Sequence, residues 1–315
     1  MKALWIFLIC IAALAVLLLA AMHIVMRYAC RRGRALGTNI DAVLANSSFR
    51  HYKDFIIKAQ AWLAQQPVEK VSVTSFDGLR LRGRFLPCEN ARGTLLLFHG
   101  WRSYPELDFG VAMEFYRSQG LNLLFVDERA QGESEGKFIT FGVRERRDVH
   151  TWAHWCAERL GKDAPLLLGG VSMGASTVLM ACGEPFAGNV RGVIADCGFT
   201  SPWDIIGKCG RDFHVPSWLL LPPVDLQTSL FAGFSLKEYS TLDAMKTTKI
   251  PTFLAHGEKD TFVPCEMSKR NYAACAAKDK TLLLTPEAGH GQSYLKQTER
   301  YQNAVRAFLG RCLGG

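Results

Sequence analysis

No Cys-x-x-Cys pair occurs in this sequence, no Walker-type or dinucleotide-type glycine pattern, and no charged residue between Ala3 and Met26. The first absence, with ten irregularly spaced cysteines of which nine lie outside that uncharged run, argues against a zinc site or a disulfide framework and for reduced, buried thiols. The second removes the common phosphate-cradling loops. A basic nucleic-acid face is missing as well. Residues 1–60 hold eight Lys/Arg against two Asp/Glu, so most of the net charge of +8 sits in the N-terminal fifth. That placement suits anionic lipid headgroups rather than nucleic acid. His150 and His154 have a helix spacing that could hold a metal, but no third ligand accompanies them, so no metal or organic cofactor is expected.

The third absence is itself a signal. As a helix, Ala3–Met26 spans about 36 Å at 1.5 Å per residue, enough to cross a hydrocarbon core of about 30 Å. A signal peptide's apolar core is usually about 7–15 residues, so this longer run reads as an uncleaved single-pass anchor contacting the bilayer through residues 3–26. Arg27, Arg31, Arg32 and Arg34 follow it, an excess that puts the rest of the chain on the cytoplasmic side. Residues 1–34 are then an anchor and basic flank, 35–66 a juxtamembrane amphipathic helical segment, and 67–315 the catalytic domain. On this reading the anchor is separable, and deleting residues 1–34 leaves a soluble, active protein.

What the sequence does contain is Gly170-Val171-Ser172-Met173-Gly174, between the apolar run Leu166–Leu168 and the helix-like stretch from Ala175. Strand, sharp turn and helix put the serine at an apex, where the turn strains it and a side chain at 170 or 174 would collide with its neighbours. A nucleophilic serine needs a base, and the base needs an orienting carboxylate. The strand-like Ile250–His256 runs into Gly257-Glu258-Lys259-Asp260, and Lys280–Thr285 runs into Pro286-Glu287-Ala288-Gly289-His290-Gly291. Ser172, Asp260 and His290 thus each sit past a strand's C-terminal end, and in a parallel sheet those ends share one edge. Asp196, ending another strand, is an alternative acid. The strand Gly93–Phe98 runs into His99-Gly100-Trp101, and the oxyanion-hole N–H groups are assigned to Trp101 and Met173.

These motifs resemble those of an α/β-hydrolase, close to the membrane-anchored Bem46-like group and to the serine aminopeptidase-like or lysophospholipase-like hydrolases. The likeness covers roughly residues 70–312 and is carried by His99-Gly100-Trp101, Asp127–Gly136, Gly170–Gly174, Asp260 and His290. It departs at Ala130, where the family usually has glycine, a change to a turn rather than to the triad. The strand pattern predicts eight strands, mostly parallel after an initial hairpin turning at Asp77-Gly78, with flanking helices. The stretch from about 198 to 248 is long for a connection and rich in apolar residues. It reads as a short helical cap with an apolar underside, placing Trp203, Trp218 and Phe231 against substrate.

The resemblance implies acyl-enzyme chemistry without a metal or cofactor. The favoured substrates are carboxylic esters of apolar acyl groups, or lysolipids. An aminopeptidase-like activity on the same triad is the alternative. A non-catalytic membrane-anchored binding protein is the reading from another class, and the complete set of motifs argues against it.

Overall fold

The computed structural model describes residues 1–33 and 49–314. Eight strands form one sheet: β1 (Glu69–Thr74), β2 (Arg80–Leu86), β3 (Gly93–Phe98), β4 (Leu121–Asp127), β5 (Leu166–Val171), β6 (Val190–Asp196), β7 (Thr252–Gly257) and β8 (Lys280–Thr285). Their spatial order is β1-β2-β4-β3-β5-β6-β7-β8. β2 runs antiparallel to both β1 and β4, and β3 to β8 are parallel. The α/β-hydrolase fold with an eight-stranded, mostly parallel sheet is as the sequence predicts. Strands β3 and β4 are buried along their whole length, which is why they read as unbroken apolar runs rather than alternating ones.

Helices cover both faces. On one, α5 (Glu145–Leu160) and α6 (Met173–Ala181) pack Trp152, Val149 and Val178 against the sheet. On the other, α4 (Gly110–Ser118) and α12 (Thr298–Leu313) bring Met113, Phe115, Tyr301 and Phe308, with Leu63 of α2 (Lys53–Leu63) at the margin. The juxtamembrane segment expected over 35–66 is thus helical in its described second half; residues 34–48 and Arg34 lie outside the described residues. Helices α3 (Pro105–Asp108), α10 (Cys265–Ala274) and α11 (Ser293–Lys296) complete the layers.

The insertion after β6 folds as α7 (Pro202–Asp212), α8 (Ser217–Gln227), a π-helical turn Thr228–Ala232 and α9 (Thr241–Met245). Ser201 and Ser240 cap α7 and α9, accepting from the Asp204 and Asp243 amides and satisfying donors a helix start leaves free.

The first helix, α1 (Lys2–Cys30), is long and apolar enough to cross a membrane. Its C-terminal part also packs against the rest of the chain, a contact that the separable anchor expected from sequence did not include. Met22, Met26 and Cys30 are buried in one cluster with Phe141, Met173, Ile205, Leu220, Leu221 and Val224. The carbonyls at a helix C-terminus lack partners within the helix, and here the domain built on the sheet supplies the partners. The Trp101 indole donates to Ala29 O at 2.8 Å, Arg102 donates to Tyr28 O at 2.6 Å, and the Ile139 amide donates to Cys30 O. Arg32 donates to the Gly132 and Ser134 carbonyls, so one arginine of the basic flank also pins the domain.

Candidate active site

The strand–turn–helix around Ser172 explains its glycines in atomic terms. Ser172 caps α6 with φ 56° and ψ −113°, a conformation that a side-chain-bearing residue rarely adopts. A Cβ on Gly170 would lie 2.3 Å from Gly174 O, and one on Gly174 would lie 1.9 Å from Phe98 O. Gly257 plays the same part at the other loop, where a Cβ would lie 2.3 Å from Ala288 O; its absence lets the histidine loop close over the end of β7.

That packing brings three side chains into a chain of hydrogen bonds. Ser172 Oγ lies 2.9 Å from His290 Nε2, and His290 Nδ1 lies 2.7 Å from Asp260 Oδ2. Asp260 is ionised and accepts only, so Nδ1 carries the proton and Nε2 is free to accept from the serine hydroxyl. Burial pushes the Asp260 carboxyl upward, but hydrogen bonds from His256 and His290 outweigh it and hold it well below the usual carboxylate range. The remaining oxygen, Oδ1, accepts from the Phe262 and Val263 amides, each at 2.9 Å. His290 is a quarter exposed, whereas the Asp260 side chain is fully buried. The Phe262 ring stands edge-on to His290 at 5.0 Å.

The loop after β3 lies against the serine. A Cβ on Gly100 would lie 3.4 Å from Ser172 Cβ, so Trp101 follows directly on the contact. Met173 is the first residue of α6, where backbone N–H groups point out of the helix end. The sequence profile of the prolyl oligopeptidase family matches residues 108–315. The chain belongs to that family. It is 26% identical over 238 residues to the Bacillus subtilis protein YqkD, covering 75% of this chain and 77% of that one. A Pyrococcus furiosus esterase shares its fold with a TM-score of 0.67 at 23% identity, over 90% of this chain and 98% of that chain. A Mycobacterium tuberculosis puromycin-hydrolysing peptidase does so with a TM-score of 0.61 at 18% identity, over 78% of this chain and 39% of that chain.

Within this prolyl oligopeptidase-family site, sequence reasoning missed His256. Its Nε2 lies 2.9 Å from Val263 O, which can only accept, so Nε2 carries the proton and also faces Asp260 Oδ2 at 3.1 Å. The Ser268 hydroxyl then donates to Nδ1 at 2.6 Å. One spacing could have flagged it: His256 precedes Asp260 by four residues across a turn. Asp108 was also missed. It accepts from the Gly100 amide and the Ser103 hydroxyl, each at 2.6 Å, and so fixes the loop that carries Trp101. Burial raises its pKa against those two bonds.

Asp196, the alternative acid, does not face His290 Nδ1. It accepts from Ser293 at 3.3 Å, and burial pushes its carboxyl up to about 6. With Asp108 it lines a cavity of about 30 Å³, room for a single water. His99 holds the loop rather than facing Ser172. It donates from Nδ1 to Gly100 O and accepts the Glu128 amide at Nε2. His150 rests on Phe186 and Ala181 O, while His154 pairs with Glu158. Donor atoms of Cys197, Asp260 and His290 do lie within 4.8 Å of one another. However, burial and then the nearby Asp196 and Asp260 raise the Cys197 thiol well above its usual range, and a protonated thiol is a poor metal ligand.

Two of the three expected substrate contacts, Trp218 and Phe231, need correction. Trp218 is 76% exposed and Phe231 56% exposed, on the outside of the cap rather than its underside. Trp203 is half-buried, with the Lys237 ammonium 3.9 Å above its ring. The inner side of the cap is built instead from Ile205, Ile206, Leu220, Leu221 and Val224, packed in the cluster that holds Met173. Helix α8 buries one face and exposes the other. The burial of 220, 221 and 224 forces 218 and 222 outward.

Proposed function

We propose that the protein is a serine hydrolase that works by acyl transfer, with Ser172 as nucleophile, His290 as general base and Asp260 as its orienting acid. The hydrogen-bonded series Ser172–His290–Asp260 on a strained elbow carries this reading. His290 Nε2 takes the serine proton as Oγ attacks a carbonyl carbon, and the Trp101 and Met173 N–H groups receive the oxyanion. The tetrahedral intermediate collapses as His290 returns the proton to the leaving group. Water, deprotonated by the same histidine, then releases the acid from the acyl-enzyme. Neither a metal nor a cofactor has a step in this sequence.

The favoured substrates are carboxylic esters with apolar acyl groups, lysolipids among them. Two observations support esters over peptides with a free amino terminus. Met173 is embedded in an apolar cluster. The other carboxylates that act on His290, Asp108 and Asp196, are buried and bonded to Gly100, Ser103 and Ser293, leaving them poorly placed to bind an ammonium group. We further read residues 3–26 as a membrane anchor, with the hydrolase domain on the cytoplasmic side by virtue of Arg27, Arg31, Arg32 and Arg34. The domain bounds at 67–315 and the cap at about 198–248 belong to the same reading.

A panel of p-nitrophenyl esters of rising acyl length, run beside aminoacyl-naphthylamides, tests it. Each buried methylene contributes about 0.8 kcal/mol, so two added carbons should raise kcat/KM roughly tenfold until the pocket is full. A flat ester series with rapid amide cleavage would transfer the assignment to a peptidase.

A further inference from the structure

We propose that the outer face of the cap is a second bilayer contact, seated in the headgroup–acyl boundary beside the anchor; this rests on reading residues 3–26 as membrane-spanning. Trp218, Pro222, Leu226 and Leu230 follow one another at four-residue intervals along α8 and the π-turn, so they form a single stripe. All four are exposed, Leu230 by 68%, and Phe231 lies beside the stripe. Large exposed apolar side chains that adjoin in a row, rather than singly, mark an interaction site.

Its occupant follows from what adjoins it. The stripe is continuous with α1. Gln227, on α8 between Leu226 and the π-turn, donates to Leu19 O at 2.9 Å and accepts from His23 at 2.9 Å. The Phe231 ring meets the His23 ring edge-on at 5.1 Å. His23 is the strongly polar residue of the anchor, and Arg27 is the first charge after it. These residues mark the level where the helix leaves hydrocarbon. Leu19 is one turn deeper, about 6 Å along the axis. The cap therefore reaches below the level of His23 by an amount typical of interfacial helices, whose apolar faces sink about 5–10 Å. The anchor's own exposed flank over residues 3–17 continues the same apolar surface into the bilayer. A lipid phase covers both without a gap, whereas a soluble partner would have to share the stripe with the membrane.

The full chain in phosphatidylcholine nanodiscs tests this. A photoreactive benzoylphenylalanine replaces Leu230, Leu14 or Lys162, the last on the exposed turn before β5. A phospholipid adduct is expected at 14 and 230 and not at 162. An adduct at 14 without one at 230 overturns the cap contact and leaves the anchor standing. No adduct at either position overturns both. Cross-linking of position 230 to a second copy of the chain overturns the lipid assignment in favour of a dimer. As a second readout, Leu226→Ser/Leu230→Ser should cut kcat/KM about tenfold on an acyl ester embedded in the nanodisc, the equivalent of losing one partly buried leucine. Hydrolysis of p-nitrophenyl butyrate should be unchanged. An equal fall on both substrates would make the stripe structural and overturn the proposal.

Discussion

The edge of the sheet that carries Ser172, Asp260 and His290 and the side where the cap meets α1 are built in opposite ways. At the sheet edge every position is fixed by polar contacts within a few ångströms: two amides and two imidazoles on Asp260, and two donors on Asp108. At the cap, side chains from residues 22 to 267 pack as one apolar cluster, tied down by donors to the free carbonyls at the end of α1 and by Gln227 on Leu19 O further along it. The first region has geometry that tolerates no displacement. The second has area, and its failures should appear in folding and membrane behaviour. Trp101 belongs to both, its backbone beside Ser172 and its indole on Ala29 O.

The largest effect should come from the sheet edge. Ser172→Ala is expected to lower p-nitrophenyl ester hydrolysis on the order of 10⁶-fold and to abolish fluorophosphonate labelling while leaving the melting temperature nearly unchanged. His290→Ala should cost almost as much, and the double variant no more than either alone, because the residues act as a unit. Retention of most activity in Ser172→Ala would remove the nucleophile assignment.

The two regions also differ in how far they can be read from sequence. The elbow is local: glycine at 170 and 174 reports collisions with backbone atoms nearby, and chain order singles out Asp260 and His290. The strands are legible because buried parallel strands are continuous apolar runs. His256 was hidden because a histidine within an apolar strand reads as core, and its function lies in which atoms face it. The docking of α1 was hidden for a different reason. Its contacts join residues as far apart as Leu19 and Gln227, and an apolar helix looks the same whether lipid or protein covers it. Trp218 and Phe231 were misplaced by the same ambiguity: an apolar residue in a cap can face substrate or bilayer.

Truncation separates the regions at the next level of effect. Removing residues 1–17 takes away only the exposed part of α1. That chain should keep its melting temperature and its activity on soluble esters. Removing residues 1–33 strips Met22, Met26 and Cys30 from the cluster and leaves Leu220, Leu221 and Val224 uncovered. At about 1.5–3 kcal/mol per fully buried large side chain, the loss is several kcal/mol, a large part of the stability of a domain. The second truncation should therefore be insoluble or melt far lower. Equal thermal stability of the two would mean that α1 is a simple tether.

The smallest effect distinguishes the regions by pH. Asp196 has an ordinary value of 3.8, which burial raises to about 6 against the pull of His256, His290 and Ser293. A raised carboxyl binds its proton more tightly in the folded chain, so its contribution is most favourable below 3.8, declines as pH rises towards 6, and is flat above. Asp260 has the opposite sign: its depressed carboxyl contributes stability above 3.8 that is lost as pH falls further. Other buried acids, Asp148 and Glu128 among them, also shift upward, so the difference between variant and parent isolates Asp196. Asp196→Asn keeps an oxygen for Ser293 and removes the charge. It should be more stable than the parent by about 2–3 kcal/mol at pH 8, with the gap closing as pH approaches 4. Met26→Ala, in the apolar cluster, should cost about 2–5 kcal/mol and show the same deficit at both pH values. Denaturant midpoints at pH 4 and pH 8 measure both. A pH-independent Asp196→Asn difference would mean that Asp196 ionises freely where it lies, and the contrast between a charge-strained sheet edge and an uncharged cap would fall.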